Sequence, residues 1–61
     1  MLSEIKIQEL ADKATNVAMT DVYGERFTNL DNLEDDKELS DVWDSLNEQF
    51  YSTLENEFGK F

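Results

Sequence analysis

The acidic side chains in the second half of the chain are the residues whose types and spacing could do chemistry. Positions 34, 38, 41, 45, 48, 52 and 55 alternate steps of four and three, so they would form one line along a helix. Ser45 and Ser52 occupy two of these positions. The other five are carboxylates, here called the acidic row: Glu34, Glu38, Asp41, Glu48 and Glu55. Such a line could present to a basic protein the charge pattern that phosphates present.

The predicted dimensions of the acidic row resemble those of a nucleic acid. On a continuous helix it would run roughly 32 Å, close to one turn of B-DNA at about 34 Å. Residues 31–57 contain ten acids and one base, Lys37, so this segment carries −9 of the net charge of −10. That is about one charge per 4 Å of helix, against one per about 3.4 Å of a DNA strand. Asp44 flanks the row, and Asp35 and Asp36 add to its field.

Two interpretations of the acidic row remain open on sequence grounds. The first is a solvated face, because any amphipathic helix points its charged residues at water. Such a face usually mixes signs and gains from pairs of opposite charge four residues apart, of which Lys37 and Asp41 form the only one here. The second interpretation is a surface that imitates phosphates, and it gives the self-repulsion of the row a use.

Composition excludes several other classes of protein. The 61 residues include no cysteine and no histidine, which removes disulfides, thiolate zinc sites and the commonest general base. With a pI near 4.1, direct binding to nucleic acid or to an anionic membrane is unfavourable. A chain this short can scarcely enclose a catalytic pocket, so we expect no enzyme and no cofactor.

A metal site is the one remaining chemical alternative. Oxygen ligands that suit Ca²⁺ or Mg²⁺ are dense in one short segment, but they lack the alternating ligands and the glycine of an EF-hand loop. We therefore expect adventitious cation binding and no dedicated metal site. The segment contains Asp31, Asn32, Glu34, Asp35, Asp36 and Glu38.

The first half of the chain predicts an amphipathic helix over residues 3–23. Ser3 is suited to the N-cap, and Gly24 is suited to a left-handed residue after the last turn. The apolar side chains follow the helical period and predict one packed face. They are Ile7, Leu10, Ala11, Ala14, Val17, Ala18 and Val22.

The second half predicts a longer helix over residues 35–58, closed by Gly59, after a punctuated segment that allows a short helical turn. Phe27, Leu30 and Leu33 are expected to fold back over the end of the core. The apolar residues of the second helix predict a single stripe: Leu39, Val42, Trp43, Leu46, Phe50, Leu54, Phe58 and Phe61. The fold class predicted for residues 1–61 is therefore one all-α domain, a helical hairpin that a homodimer contact or a partner would complete.

A few apolar side chains are predicted to lie off the packed faces, where they could contact a partner. Ile5, Met19 and Tyr23 would form a second strip on the first helix, and Tyr51 lies at the edge of the stripe on the second. This strip is the basis of an alternative function, a small adaptor or oligomerisation module that binds through its apolar and aromatic surface. In that alternative the acidity would serve only solubility.

A resemblance supports the second interpretation of the acidic row, a surface that imitates phosphates. The segment Leu-Asp-Asn-Leu-Glu-Asp-Asp-Lys-Glu-Leu, followed by an aromatic amphipathic helix, resembles the small acidic early proteins of bacteriophages, in particular the Ocr-type antirestriction DNA mimics. The resemblance covers residues 28–58 and lies in composition and pattern. It implies a stoichiometric inhibitor that occupies the basic groove of a host restriction, CRISPR, nuclease or RNA polymerase enzyme.

Location follows from the same observations. Residues 1–7 lack the apolar run of a secretory signal, and no stretch approaches the roughly 20 apolar residues of a membrane span. We therefore expect a cytoplasmic protein, in the host cytoplasm if a phage encodes it. The partner expected is a protein with a basic groove for nucleic acid, and neither nucleic acid itself nor a membrane.

Overall fold

A computed structural model of the chain describes residues 2–59. Two long helices pack against each other as a hairpin, and the described residues contain no strand. The backbone N–H of Leu2 donates to the carbonyl oxygen of Phe58 at 2.9 Å, so the two ends of the hairpin lie side by side. The predicted all-α hairpin is therefore confirmed. Its elements are α1 (Glu4–Tyr23), α2 (Glu25–Thr28), a 3-10 turn (Leu33–Asp35) and α3 (Lys37–Phe58).

Local signals explain where α1 begins and ends. The Ser3 hydroxyl accepts a hydrogen bond from the backbone N–H of Lys6 at 3.2 Å, as an N-cap should. The backbone N–H of Gly24 donates to the carbonyl oxygen of Thr20 at 2.9 Å. Gly24 adopts φ 57° and ψ −129°, so φ is positive as predicted, but the conformation is that of the first central residue of a type II′ turn. Only glycine reaches this conformation cheaply, and the chain turns there into α2.

The second long helix starts later than its sequence predicts. Residues before it form the 3-10 turn, and Asp36 is extended, with its side chain accepting from the backbone N–H of Leu39 at 3.3 Å. Asp36 is thus the N-cap, and α3 begins at Lys37 instead of residue 35. At the other end the backbone N–H of Gly59 donates to the carbonyl oxygen of Glu55 at 3.0 Å, which confirms Gly59 as the closing residue.

The buried side of α1 differs from the predicted face. Val17 and Val22, expected in the core, are 62% and 72% exposed, whereas Met19, expected on an outer strip, is fully buried. Both predictions are wrong because the fully buried residues of α1 are spaced four apart along the helix, and one of them is a threonine. The fully buried residues in the described part of the chain are Ile7, Ala11, Thr15, Met19 and Leu39.

Thr15 can lie in the core because its hydroxyl is satisfied there. It donates to the carbonyl oxygen of Ala11 at 2.7 Å and accepts from the Nδ2 of Asn47 at 3.3 Å. The same Asn47 nitrogen donates to Asp12 at 2.8 Å, and the Gln8 amide donates to both Asp12 (2.8 Å) and Asn47 (3.1 Å). The three bonds of Asn47, with Gln8, Asp12 and Thr15, cross from α1 to α3, so they specify how the two helices align.

The apolar stripe of α3 is only partly covered by α1, as expected. Leu39 is fully buried, while Val42, Trp43, Leu46, Phe50 and Leu54 are half-buried. Phe58 is 52% exposed and is a correction to the predicted core, because it lies at the open end of the hairpin beside Leu2. Phe61 lies outside the described residues. No helix within residues 2–59 combines the length and the apolarity that crossing a bilayer requires.

Candidate functional site

Five of the six carboxylates of α3 lie on the side of the helix opposite α1, and the sixth, Glu57, falls near the apolar stripe by helical period. Glu38, Asp41, Asp44 and Glu48 are exposed and Glu55 is half-buried; together we call them the α3 acidic face. Ser45 and Ser52, also exposed, lie among them. At about 100° and about 1.5 Å per residue, these carboxylates centre opposite the stripe that contacts α1 and extend about 26 Å along the axis.

Glu34 is a correction to the acidic row. It lies in the 3-10 turn, so it does not continue the line of α3, and the row is shorter than the roughly 32 Å estimated for a continuous helix. Asp35 shares this turn and is exposed. Both carboxylates contribute charge near the start of α3 without belonging to its face.

Most of the α3 acidic face has no neighbouring cation. Within residues 2–59 the ion pairs join Lys6 to Glu9 at 3.7 Å and Arg26 to Asp36 and Glu38. In this part of the chain no lysine or arginine nitrogen lies within 4.0 Å of Asp41, Asp44, Glu48 or Glu55. Among the residues that the structure describes, the carboxylates in the middle of the face therefore keep their negative charge available to an external partner.

Arg26 holds the N-terminal end of this region together. Its Nε and Nη2 donate to the two carboxylate oxygens of Asp36 at 3.0 and 3.3 Å, and its Nη1 lies 3.2 Å from an oxygen of Glu38. The guanidinium also lies over the Tyr23 ring, 5.7 Å from its centroid. Arg26 thus connects the end of α1 and α2 with the start of α3 and partly neutralises two predicted binding residues.

Asp36 has a structural role as well as a charge. Hydrogen bonding to Arg26 lowers the pKa of Asp36 below its usual 3.8, and the bond from the Leu39 N–H acts in the same direction. Because its charge is matched by Arg26 and its oxygens cap α3, Asp36 adds little field for a partner. Its part in the binding surface stays a prediction, to which the structure adds the roles of helix cap and partner of Arg26.

Replacing Asp36 should separate these two contributions. Asp36→Ala loses both the cap and the Arg26 pair, and we expect the melting temperature to fall by roughly 5 °C. Asp36→Asn keeps a good capping side chain and loses only the charge, so its melting temperature should fall less. Thermal denaturation followed by circular dichroism measures both.

The pH dependence gives the control for this prediction. Because the folded pKa of Asp36 is lowered, its stabilisation is present above pH 3.8 and is lost as the pH falls through the folded pKa. The difference in melting temperature between wild type and Asp36→Asn should therefore shrink as the pH falls below 3.8. A difference that is unchanged between pH 7 and pH 2.5 would contradict the assigned pairing with Arg26.

The predicted apolar contact residues are not brought together as one surface. Ile5 is 74% exposed, but Met19 is fully buried and cannot contact a partner in this fold. Tyr23 is half-buried beneath Arg26, and Tyr51 is half-buried on α3. Burial raises the pKa of Tyr51, and the charges of Glu4 and Glu55 raise it further. The strip proposed for an adaptor therefore loses its central residue.

Several residues in this region were not identified from sequence. Arg26 is the sole base between Lys13 and Lys37, a signal that it is the available partner for the acids that follow. Asn47 interrupts the apolar stripe of α3, which is a signal that a polar group crosses the helix interface. Trp43 also donates from its indole nitrogen to Asn16 at 2.8 Å, a contact that periodicity does not predict.

No metal centre or known family accompanies these features. In the described part of the chain, no three acidic side chains converge in a way that could hold a metal ion. The carboxylate-rich segment around residues 31–38 is instead divided between the 3-10 turn, the α3 cap and the Arg26 pairs. Comparison of the chain with protein-family models, curated proteins and solved structures gives no match.

Proposed function

We propose that this protein is a stoichiometric inhibitor that presents the α3 acidic face in place of nucleic-acid phosphates to the basic groove of a DNA- or RNA-binding enzyme. The observation that carries the proposal is the exposure of Asp41, Asp44 and Glu48 on one helix with no cation paired to them within residues 2–59. Competition with the nucleic acid would be the whole mechanism, without chemistry.

The distribution of cations supports this use of the face. The lysines and the arginine of the described residues could have been paired with the carboxylates of α3, which would stabilise a small domain. Instead Lys6 pairs with Glu9, and Arg26 reaches only Asp36 and Glu38 at the start of α3, away from Asp41, Asp44 and Glu48. Like charges left unpaired on a 61-residue fold reduce its stability, so a binding role accounts for their retention.

The rigidity of α3 also favours mimicry. The helix is continuous from Lys37 to Phe58 and is aligned against α1 by the hydrogen bonds of Asn47. Its carboxylates are therefore held in a line before any partner arrives. Lysine and arginine side chains that normally hold phosphates would meet these carboxylates, with association accelerated by the field of the whole protein.

Affinity capture at two salt concentrations tests the proposal. The tagged protein is exposed to a bacterial lysate, and bound proteins are eluted with short duplex DNA, with short duplex RNA or with salt and then identified. We expect one nucleic-acid-binding enzyme that is displaced by the duplex it normally binds. Its capture should weaken steeply as salt rises, because salt screens exposed charges over about 10 Å at 0.1 M.

Two outcomes would contradict the proposal. One is a partner whose capture is unaffected by salt and by either duplex, which would indicate binding through an apolar surface. The other is recovery of the chain alone, together with no inhibition of DNA binding by purified RNA polymerase, a type I restriction enzyme or a recombination nuclease. Either result would remove the role assigned to the α3 acidic face.

A further inference from the structure

An open apolar groove lies where the connection between the long helices passes α1 and α3. Its cavity has a volume of about 410 Å³, within the range of pockets that accept small ligands. A second cavity of about 230 Å³, which Asp21 helps to line, adjoins it at Asn16. The groove is lined by Asn16, Phe27, Thr28, Leu30, Leu33 and Trp43.

The walls of the groove are held in place before any ligand binds. The Trp43 indole is fixed by its hydrogen bond to Asn16 at 2.8 Å, which leaves the ring half-buried and facing the cavity. Leu33 belongs to the 3-10 turn, and the Arg26–Asp36 pair closes the chain on either side of it. Phe27, Leu30 and Leu33 were expected to cover the end of the core, but they remain half-buried and leave this space open.

The chain segment that supplies Leu30 and Leu33 to the groove also carries exposed carboxylates, which we call the acidic rim. Asp31, Glu34 and Asp35 are exposed in the same short segment as the two leucines, Leu30 and Leu33. Within residues 2–59 none of these three carboxylates has a lysine or arginine nitrogen within 4.0 Å. A second copy of this chain, with its net charge of −10, would be repelled by such a rim, whereas a basic segment would be attracted.

We propose that the groove binds a basic peptide segment of a partner protein by accepting one leucine-sized apolar side chain between Trp43 and the Leu30–Leu33 turn, with flanking lysines or arginines on the acidic rim. This surface is separate from the middle of the α3 acidic face. The two proposals can therefore fail independently. Burial of the apolar side chain supplies selectivity for that position, and the rim supplies selectivity for positive charge.

Two synthetic peptides test this directly on the full chain. One is Lys-Arg-Lys-Leu-Lys-Arg-Lys with both ends blocked, and the other has alanine in place of leucine. Trp43 is the only tryptophan, so its emission reports on the groove without a label. We expect the leucine peptide to shift the emission to shorter wavelength and to bind about five- to tenfold more tightly than the alanine peptide. The ratio should persist at high salt while both affinities fall.

A matched pair of variants identifies the site. Thr28→Gln places a longer neutral side chain at the exposed edge of the groove, and Thr53→Gln makes the same change at an exposed position of α3 that does not line it. Thr28→Gln should abolish the preference for leucine, and Thr53→Gln should retain it.

Other occupants of the groove would give different results. Equal binding of the two peptides would mean that only the surface charge attracts them, and would overturn the proposal. A change in Trp43 emission with protein concentration alone, accompanied by a doubled mass in sedimentation, would identify a second copy as the occupant and would also overturn it. Either result would overturn the groove proposal alone. The proposed function is tested separately, by displacement of the captured enzyme with duplex nucleic acid.

Discussion

Neutralising three carboxylates on α3 is expected to remove most of the binding to a basic-grooved enzyme. In the triple variant Asp41→Asn, Asp44→Asn and Glu48→Gln, the side chains keep nearly the same shape and the net charge falls from −10 to −7, since three negative charges are removed. Loss of electrostatic steering should slow association by about ten- to a hundredfold. Stopped-flow or surface-based kinetics with the enzyme recovered by duplex displacement measures the association rate constant at several salt concentrations.

These three positions are chosen because the structure separates them from stabilising contacts. Glu38 would be the natural first choice from sequence, but it lies 3.2 Å from Arg26, and its removal would disturb the start of α3. Asp41, Asp44 and Glu48 are exposed and have no paired cation among the described residues. The triple variant should therefore fold at least as well as wild type, because it relieves repulsion.

A matched control removes the same charge elsewhere. Glu9→Gln, Asp21→Asn and Glu25→Gln are exposed positions of α1 and α2, so this variant has the same net charge as the first but keeps the α3 acidic face. Its association rate constant should fall by less than about threefold if the face acts locally. Equal effects of the two variants would mean that net charge alone governs binding and would contradict mimicry by α3.

The elements of this fold could be predicted because their signals are local. Ser3, Gly24 and Gly59 mark helix ends through backbone bonding and conformation, and each lies at the predicted helix end. The rotation of α1 about its axis could not be predicted in the same way. It depends on which side chains meet α3, and Thr15 can be buried only because Ala11 and Asn47 satisfy its hydroxyl. Hydrophobic periodicity assigns threonine to the outside and so selects the wrong face.

The acidic residues also fall into a group that local sequence predicts and a group that depends on tertiary structure. The exposure of Asp41, Asp44 and Glu48 follows from helical period alone, because a fixed period relates them to the apolar stripe. The pairing of Asp36 and Glu38 depends on a tertiary contact, since Arg26 approaches the start of α3 from another element. Glu34 leaves the row because the chain forms a 3-10 turn there instead of the first turn of α3. The groove beside Trp43 also depends on how the 29–35 connection folds, for which turn-forming residues indicate irregular structure but no path.

The orientation of α1 leads to a second prediction with a large expected effect. Substitution by alanine should destabilise the protein strongly at Met19 and hardly at all at Val17. Met19→Ala should lower the free energy of unfolding by about 2–5 kcal/mol, because Met19 is fully buried and its truncation leaves a cavity. A domain of 61 residues is stable by only about 3–9 kcal/mol. The melting temperature should therefore fall by at least about 10 °C, and a large fraction of the chain could unfold at 37 °C.

Val17→Ala is the matched comparison for this effect. Val17 is 62% exposed, and alanine has the higher helix propensity, so the free energy of unfolding should change by less than about 0.5 kcal/mol. Urea denaturation followed by circular dichroism compares both variants with wild type. Because helical periodicity places Val17 in the core and Met19 outside, the opposite ranking would show that α1 presents the sequence-predicted face to α3. The contacts of Thr15 with Asn47 could then not form, and the alignment that holds the α3 carboxylates in a fixed line would lose its basis.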